Sequence, residues 1–229
     1  MKSELKFIGV IAFITVLVVG AGLYISAQNG GQTGIPKPIL KMELLVKAGN
    51  PVTENGVTSL LKDSVVSTSS VTIVEFADYA CPACSSLEPE IEQLLKENPT
   101  IRYVYRTIPI HAQSKDEAKM VYASIAQGKF KEFASVVFKN QQEWDKVGTD
   151  YKPFFEKYAK DLGIDVAKLN DDAKNPAYLA TIESDAKDAN DLSIYATPTV
   201  IFVGPKGSTY IQGAVPKSEL QKMVDTVSK

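Results

Sequence analysis

The sequence predicts an α/β protein in which a block of helices interrupts a small β-sheet. Residues 71–76 form a β-branched and aromatic run with the length of a buried strand, and residues 101–106 form a second one. About 80 residues with helical spacing follow, at about 112–194, before strand patterns return at 199–203 and 208–212. Strands on both sides of a helical block predict one sheet that helices cover.

The predicted helices of the block each have an apolar stripe and an end signal. Residues 114–117 have the pattern of a capping box, and the helix that they start is expected to run to Gly128. Aromatic residues at helical spacing predict further helices over 130–138 and 154–162. A last amphipathic pattern, at 218–227, predicts a helix that closes the chain.

Two cysteines, Cys81 and Cys84, lie where the first strand gives way to a helix that ends at Asn98. A sulfur at a helix N-terminus faces unpaired backbone N–H groups and the positive end of the helix dipole, which favour the thiolate. We therefore predict an acidic, nucleophilic Cys81 and a more buried Cys84, a pair that can close and open a disulfide. Glu75 is the one charged residue of its strand: buried below the dithiol it would have a raised pKa and could exchange a proton with Cys84. The alternative is a strand-end carboxylate that reaches water.

Other chemistries for this pair are a zinc half-site and an inert structural disulfide. A structural zinc site usually takes four ligands, but the chain has two cysteines and one histidine, His111, too few for a thiolate-rich site. A disulfide closing so short a loop would constrain the unfolded chain little. We assign no metal, no cofactor and no catalytic role to His111. The net charge of −2 gives no reason to expect nucleic-acid binding.

The N-terminal segment is predicted to be a membrane anchor. Residues 7–26 carry no charged side chain, and at about 1.5 Å per residue they span the roughly 30 Å hydrocarbon core of a bilayer. Lys2 and Lys6 precede this run, which favours a cytoplasmic tail and an extracytoplasmic domain. A cleaved signal peptide is the alternative, although the run exceeds the usual apolar region of about 7–15 residues. The expected organisation is a tail and transmembrane anchor at 1–26, a linker at 27–58 and a catalytic domain at 59–229.

The stretch around the cysteines resembles the DsbA-like thiol–disulfide oxidoreductases of the bacterial cell envelope, which belong to the thioredoxin superfamily. Their pattern E-F-x-D-Y-x-C-P-x-C is met from Glu75 to Cys84. Pro89, five positions after the second cysteine, and Thr197-Pro198, ahead of a late apolar strand, also match. The resemblance runs from about residue 71 to the C-terminus. It implies a thioredoxin fold with an inserted helical subdomain, which the predicted N-terminal transmembrane helix would precede.

The resemblance also implies the roles of the site residues. It implies a redox-active disulfide between Cys81 and Cys84, Glu75 as the buried proton acceptor, and a cis peptide bond before Pro198. An extended substrate peptide would bind main-chain groups beside this bond. The substrate-binding residues expected on this basis are Pro82, Ala83, Thr197 and Pro198.

The expected function is thiol–disulfide exchange on proteins at the extracytoplasmic side of the cell membrane. We favour disulfide formation in exported proteins that carry cysteines, because an external location and the lack of a second dithiol suit an oxidase. Strongly oxidising relatives often carry histidine where this chain has Pro82-Ala83, so disulfide reductase and isomerase stay open as alternatives. A non-enzymatic thioredoxin-fold chaperone that binds clients is a further alternative. The resemblance implies a membrane quinone-linked thiol oxidase as the redox partner.

Overall fold

The computed structural model describes residues 71–146 and 150–228, together with Pro38. This part of the chain contains one four-stranded sheet, made of β1 (Thr72–Ala77), β2 (Arg102–Thr107), β3 (Thr199–Gly204) and β4 (Gly207–Gln212). The strand order is β2-β1-β3-β4. β1 runs parallel to β2 and antiparallel to β3, and β3 and β4 form an antiparallel hairpin.

Two helices connect or follow the strands, and the others form an insertion between β2 and β3. Helix α1 (Pro82–Glu97) joins β1 to β2, and α8 (Lys217–Ser228) follows β4. The insertion contains α2 (Ser114–Ala123), a 3-10 turn (Ser124–Gln127), α3 (Phe130–Lys139), α4 (Gln141–Trp144), α5 (Lys152–Asp161), α6 (Val166–Asp172) and α7 (Pro176–Asp191). The predicted sheet with a helical insertion is thus confirmed.

The predicted transmembrane helix at 7–26 lies outside the described residues, as does the linker at 27–58 apart from Pro38. Among the helices that the structure does describe, none has the length and hydropathy needed to cross a bilayer.

The side chains of β1 alternate between two apolar cores. Ile73 packs in the core that α1 and α8 form against one face of the sheet. Val74 and Phe76 belong to the larger core, which contains most of the apolar residues of the insertion. Glu75 has the same parity as Ile73, so the strand directs its carboxyl towards α1. The partners of Ile73 in the smaller core include Leu87, Ile91, Leu94, Val200, Phe202, Leu220, Val224 and Val227.

Arg106 of β2 anchors the insertion to the opposite face of the sheet. Its side chain is only 2 % exposed, donates from Nε to Asp185 Oδ1 at 2.7 Å, and pairs through Nη2 with Asp188 Oδ2 at 2.7 Å. The Thr107 amide also donates to Asp185, and the guanidinium lies 5.2 Å from the centre of the Phe76 ring. Helix α7 is therefore held to β2 by a buried group of ionic contacts that the sequence patterns did not indicate.

The predicted capping box at 114–117 is wrong. Helix α2 begins at Ser114 itself, with Gln113 as the N-cap, so the serine side chain lies one position too far into the helix to cap it. Its hydroxyl is buried without a hydrogen-bond partner in the described part of the chain. The predicted continuous helix also stops earlier, since α2 ends at Ala123 and a 3-10 turn leads to Gly128, whose φ is 67°.

Candidate active site

The two cysteines occupy different environments at the N-terminus of α1. Cys81 is the N-cap residue, and Pro82 starts the helix with the fixed φ that suits its first position. The Cys81 amide donates to the Asp78 carbonyl at 3.1 Å, which fixes the turn between β1 and α1. Both side chains are free thiols, with Cys81 6 % and Cys84 1 % exposed. A substrate therefore reaches Cys81 before Cys84.

Hydrogen bonds strongly favour the thiolate form of Cys81. They lower its pKa from 9.0 to about 5: the Cys84 thiol has the largest effect, the Thr197 side chain and the backbone amides of Cys84 and Ala83 add to it, and burial opposes it. The Thr197 hydroxyl is buried without another partner among the described residues, so it is available to the thiolate. As a thiol, Cys81 Sγ instead donates to the Thr197 carbonyl oxygen at 3.3 Å.

Cys84 has the opposite tendency. Burial raises its pKa, and the hydrogen bond to Cys81, the charge on Cys81 and the charge on Glu75 raise it further. A Cys84 sulfur that leaves a disulfide bond is therefore most stable as the thiol, and it requires a proton at that moment.

Glu75 is the buried acid near this sulfur. Its side chain is 1 % exposed, and Tyr103 Oη of β2 donates to its Oε2 at 2.5 Å. Burial raises the pKa of Glu75 from 4.5 to about 7; the Tyr103 hydrogen bond opposes this shift, and the negative charge of Cys81 adds to it. A carboxyl with such a pKa can both give and take a proton near neutral pH.

The Glu75→Gln variant is expected to be more stable than the wild type at pH 8 and nearly equal to it at pH 4. Because folding raises the pKa from 4.5 to about 7, the folded state binds more protons than the unfolded state between these values. The free energy of unfolding therefore falls as the pH rises through this window, by about 3 kcal/mol in all. Urea unfolding of both proteins at the two pH values measures the difference. The exposed substitution Glu132→Gln is the control, and a Glu75→Gln variant that gains nothing at pH 8 would show that Glu75 ionises freely.

The loop before β3 brings backbone groups to Cys81. The Thr197-Pro198 peptide bond is cis, as the resemblance implied. The Pro198 carbonyl accepts from the Gly213 amide at 2.8 Å, and the Thr199 hydroxyl donates to the Ala196 carbonyl at 2.7 Å. These bonds fix the loop on both sides of Thr197. Of the other expected substrate-binding residues, Pro82 is exposed and Ala83 partly so.

Asp78 organises the loops around the site, and sequence analysis gave it no role. Its side chain has no exposed surface, and its carboxylate accepts from the amides of Ala80, Ile110 and His111 at 2.8–3.2 Å. His111 Nδ1 lies 2.9 Å from Asp78 Oδ2. The Asp78 side chain thus ties the segment after β2 to the turn that carries Cys81. In the sequence, the only indication of a role for Asp78 was that it matches the aspartate of the family pattern.

Within residues 71–146 and 150–228, no group of three or more His, Cys, Asp or Glu side chains is arranged to hold a metal ion.

A family model described as "Thioredoxin" matches residues 66–226, about 70 % of the chain. Among solved structures, a thioredoxin-like oxidoreductase from Silicibacter pomeroyi superposes with a TM-score of 0.62 and 26 % identity, over 81 % of this chain and 96 % of that one. The thiol–disulfide exchange protein α-DsbA2 from Wolbachia pipientis superposes with a TM-score of 0.61 and 24 % identity, over 80 % of this chain and 90 % of that one. BdbD from Bacillus subtilis, in its oxidised form, superposes with a TM-score of 0.59 and 19 % identity, over 69 % of this chain and 87 % of that one.

The curated relatives that match are Na(+)/H(+) antiporters. NhaA 3 of Salinispora tropica is 28 % identical over 137 residues, and NhaA 1 of Mycolicibacterium gilvum is 28 % identical over 144 residues. These matches cover 58 % and 59 % of this chain but 20 % and 22 % of the antiporters. The chain therefore spans about a fifth of the length of these relatives.

The family model covers the sheet, the cysteine pair, the helical insertion and most of α8. The solved structures share this architecture over most of their own length. The chain belongs to the thioredoxin family and has the fold of its DsbA-like members.

Proposed function

We propose that the chain is a protein thiol–disulfide oxidoreductase that forms disulfide bonds in exported, cysteine-containing proteins. The observation that carries this proposal is the asymmetry of the pair: a stabilised thiolate at Cys81 beside a buried, weakly acidic Cys84. Names of the similar structures, such as thiol–disulfide exchange protein for α-DsbA2, fit the same chemistry.

The oxidised protein would carry a bond between Cys81 and Cys84. A client thiolate attacks Cys81 Sγ, the bond to Cys84 breaks, and Cys84 leaves with the electron pair and takes a proton from Glu75. A second client thiolate then attacks the client sulfur of the mixed disulfide and releases Cys81 as a thiolate. The client has lost two electrons to form its disulfide, and the pair in this chain has gained them.

The stabilised Cys81 thiolate favours the oxidising direction, in which the client gains a disulfide bond. Any interaction that stabilises the reduced pair makes its disulfide a stronger oxidant. At pH 7, a Cys81 pKa of about 5 raises the reduction potential of the pair by at most about 60 mV. This value follows from about 1.36 kcal/mol per pKa unit and about 30 mV per 1.4 kcal/mol. Solvent screening reduces it. The Cys84 thiol, Thr197 and the backbone amides thus supply part of the effect that a histidine between the cysteines gives in strongly oxidising relatives.

The reduction potential of the pair tests the direction. We expect a value above about −200 mV, away from the roughly −270 mV of thioredoxin, in glutathione buffers with thiol alkylation as the readout. Thr197→Val, which replaces the hydroxyl by a methyl group of similar size, should lower the potential by roughly 30 mV. A potential near that of thioredoxin would favour a disulfide reductase or isomerase and would overturn the proposed direction.

We further propose that the chain is held at the cell membrane by residues 7–26, with the cysteine pair on the extracytoplasmic side. The uncharged run and the preceding lysines support this location. A membrane quinone-linked thiol oxidase would then return the pair to the disulfide. Full-length protein that leaves the membrane fraction on a high-pH wash would contradict the anchor.

A further inference from the structure

A cavity of about 230 Å³ lies between the cysteine-bearing helix α1, strand β2 and helix α3 of the insertion. At one end of it the two helices are joined, because Ser85 Oγ of α1 donates to the Phe138 carbonyl of α3 at 2.9 Å. Beyond this bond, α3 presents only the small side chain of Ala134 to the cavity, which leaves the space open. Glu92 and Lys131, both exposed, also line the cavity, so it reaches the protein surface.

The inner walls of this cavity are apolar and mostly aromatic. They include Ile91 of α1, Tyr103 and Tyr105 of β2, and Phe130 and Phe138 of α3. At the usual interior packing density of about 0.74, the volume holds a ligand of roughly 170 Å³, the size of a two-ring aromatic molecule with a short side chain. A dry, engineered cavity of about 150 Å³ in another protein already binds benzene. The cavity is therefore large enough for a small organic molecule.

The two tyrosine hydroxyls of β2 differ in their partners. Tyr103 Oη donates to Glu75 Oε2 at 2.5 Å and is thus engaged. Tyr105 Oη is buried without a partner of hydrogen-bond geometry in the described part of the chain. Because buried hydroxyls nearly always have a partner, a molecule in the cavity that offers a hydrogen bond would satisfy Tyr105.

The mouth of the cavity carries more negative than positive charge. Glu88 and Glu92 lie one helical turn apart on α1, and Lys131 of α3 is the cation among the lining residues. Burial raises the pKa of Glu88 from 4.5 to about 8, and the charges of Glu75 and Glu92 raise it further, whereas Lys131 lowers it. A second anion at this mouth would be repelled, while a cation would be attracted by the carboxylates and by the faces of the aromatic rings.

We propose that this cavity binds a small amphipathic amine, with its ring among the aromatic walls and its ammonium group beside Glu88 and Glu92. A carboxylate of the same size would face two like charges, and a neutral molecule would gain from apolar burial alone. This inference goes beyond the proposed function and is independent of it, since neither cysteine is among the residues that line the cavity. A bound amine would contact both α1 and α3 and so stabilise the folded protein.

Three probes with one ring system and different charges test the chemical class of the ligand. Naphthylmethylamine is a cation, naphthylmethanol is neutral, and naphthylacetate is an anion. In calorimetric titrations of the full-length protein at pH 8, the amine should bind at least about tenfold more tightly than the carboxylate, with the alcohol between them. Equal affinities, a preference for the carboxylate, or no binding of the amine would overturn the inference.

Ala134→Leu tests the location, because it fills the cavity from α3 without changing any charge. It should lower the affinity for naphthylmethylamine at least about tenfold. Ala180→Leu, at an exposed position of α7, is the matched control and should bind the amine as the wild type does. Both variants keep the N-terminal segment, so any binding of the probe to that segment or to detergent cancels in the comparison. Equal affinities of the two variants would place the amine elsewhere and overturn the site.

Two substitutions at the mouth should change the affinity in opposite directions, and neither alters the core. Glu88→Gln removes a negative charge and should weaken binding of naphthylmethylamine about fivefold. Lys131→Gln removes the competing cation and should strengthen it. Both should leave the affinity for naphthylmethanol nearly unchanged. Glu132→Gln, an exposed substitution on α3 outside the cavity, is the charge control. If Glu88→Gln binds the amine as tightly as the Glu132→Gln variant, the ammonium group does not lie beside Glu88 and the proposal is wrong.

The affinity for the amine should also rise from pH 6 to pH 8. Over this range Glu88 and Glu75 both lose protons, whereas burial keeps the nearby tyrosines neutral by raising their pKa values. The cavity mouth thus becomes more negative while the amine keeps its charge, and the affinity for naphthylacetate should fall. An amine affinity that decreases over this range would contradict the proposal. The titratable and charged groups that act on or feel Glu88 are Glu75 of β1, Tyr79 of the turn after β1, Tyr103 of β2, Glu92 of α1 and Lys131 of α3.

Discussion

A Cys84→Ala variant is expected to accumulate client proteins that are covalently joined to Cys81. The Cys81 thiolate remains stabilised by Thr197 and backbone amides, so it attacks a client disulfide and forms a mixed disulfide. Cys84 is the second of only two cysteines, so this variant has no internal thiol that could release the client. Adducts that are transient in the wild type should become a major species on non-reducing gels and disappear with dithiothreitol.

The mirror variant, Cys81→Ala, is the control for this experiment. Its remaining thiol, Cys84, is 1 % exposed and has a pKa that burial raises, so it should form almost no adducts. If both variants hold clients equally and without a covalent bond, the chain is a client-binding chaperone. Adducts in both would mean that Cys84 is as accessible as Cys81, contrary to the structure.

Arg106→Ala is expected to lower the free energy of unfolding by about 3–5 kcal/mol, because it leaves two buried carboxylates without their cation. Asp185 and Asp188 are each 1 % exposed, and the side chain of Arg106 occupies the space between β2 and α7. Urea unfolding at pH 7 measures the loss. The matched control is Lys157→Ala, which breaks an exposed pair with Asp161 and should leave the free energy of unfolding nearly unchanged.

This ionic group is not expected to add much net stability as a whole. Burial raises the pKa of Asp185 from 3.8 to about 6 even though Arg106 acts in the opposite direction, whereas the two carboxylates raise the pKa of Arg106 against the effect of its burial. The attraction therefore offsets the loss of water at the guanidinium but not at Asp185, and a buried ionic group of this kind usually adds little net stability. Replacing all three members by apolar residues should therefore cost less than Arg106→Ala alone. A triple variant that is less stable than the single one would contradict this account.

Local patterns predicted most of the fold. Strands at 71–76 and 101–106 and helices at 130–138 and 154–162 lie within about two residues of β1, β2, α3 and α5. Each has a clear hydrophobic period and a clear end signal, and both are local properties of the sequence. The predicted start of α2 was wrong because a Ser-x-x-Glu pattern can also lie one residue inside a helix. Only the backbone geometry shows that Gln113, and not Ser114, is the N-cap residue.

The candidate site was predicted less completely. The cysteine pair and Glu75 were indicated by a chemically distinctive spacing and by an acid in an apolar strand. The bonds from Tyr103 to Glu75 and from Arg106 to Asp185 were not, since they join residues 28 and 79 positions apart. Such contacts depend on the sheet register and on how α7 packs, and neither leaves a periodic signal in the sequence.

The alternation of side chains along β2 also limits how this protein can be recombined with its relatives. Tyr103 of this strand contacts the buried acid of the site, and Arg106 holds α7 of the insertion. A chimera that took residues 114–191 from a relative would leave Arg106 facing unfamiliar partners, and one that exchanged β2 as well would remove the neighbour of Glu75. The natural unit for transplantation is therefore the insertion together with β1, α1 and β2, and α8 has to be matched to it because α8 and α1 share the smaller apolar core.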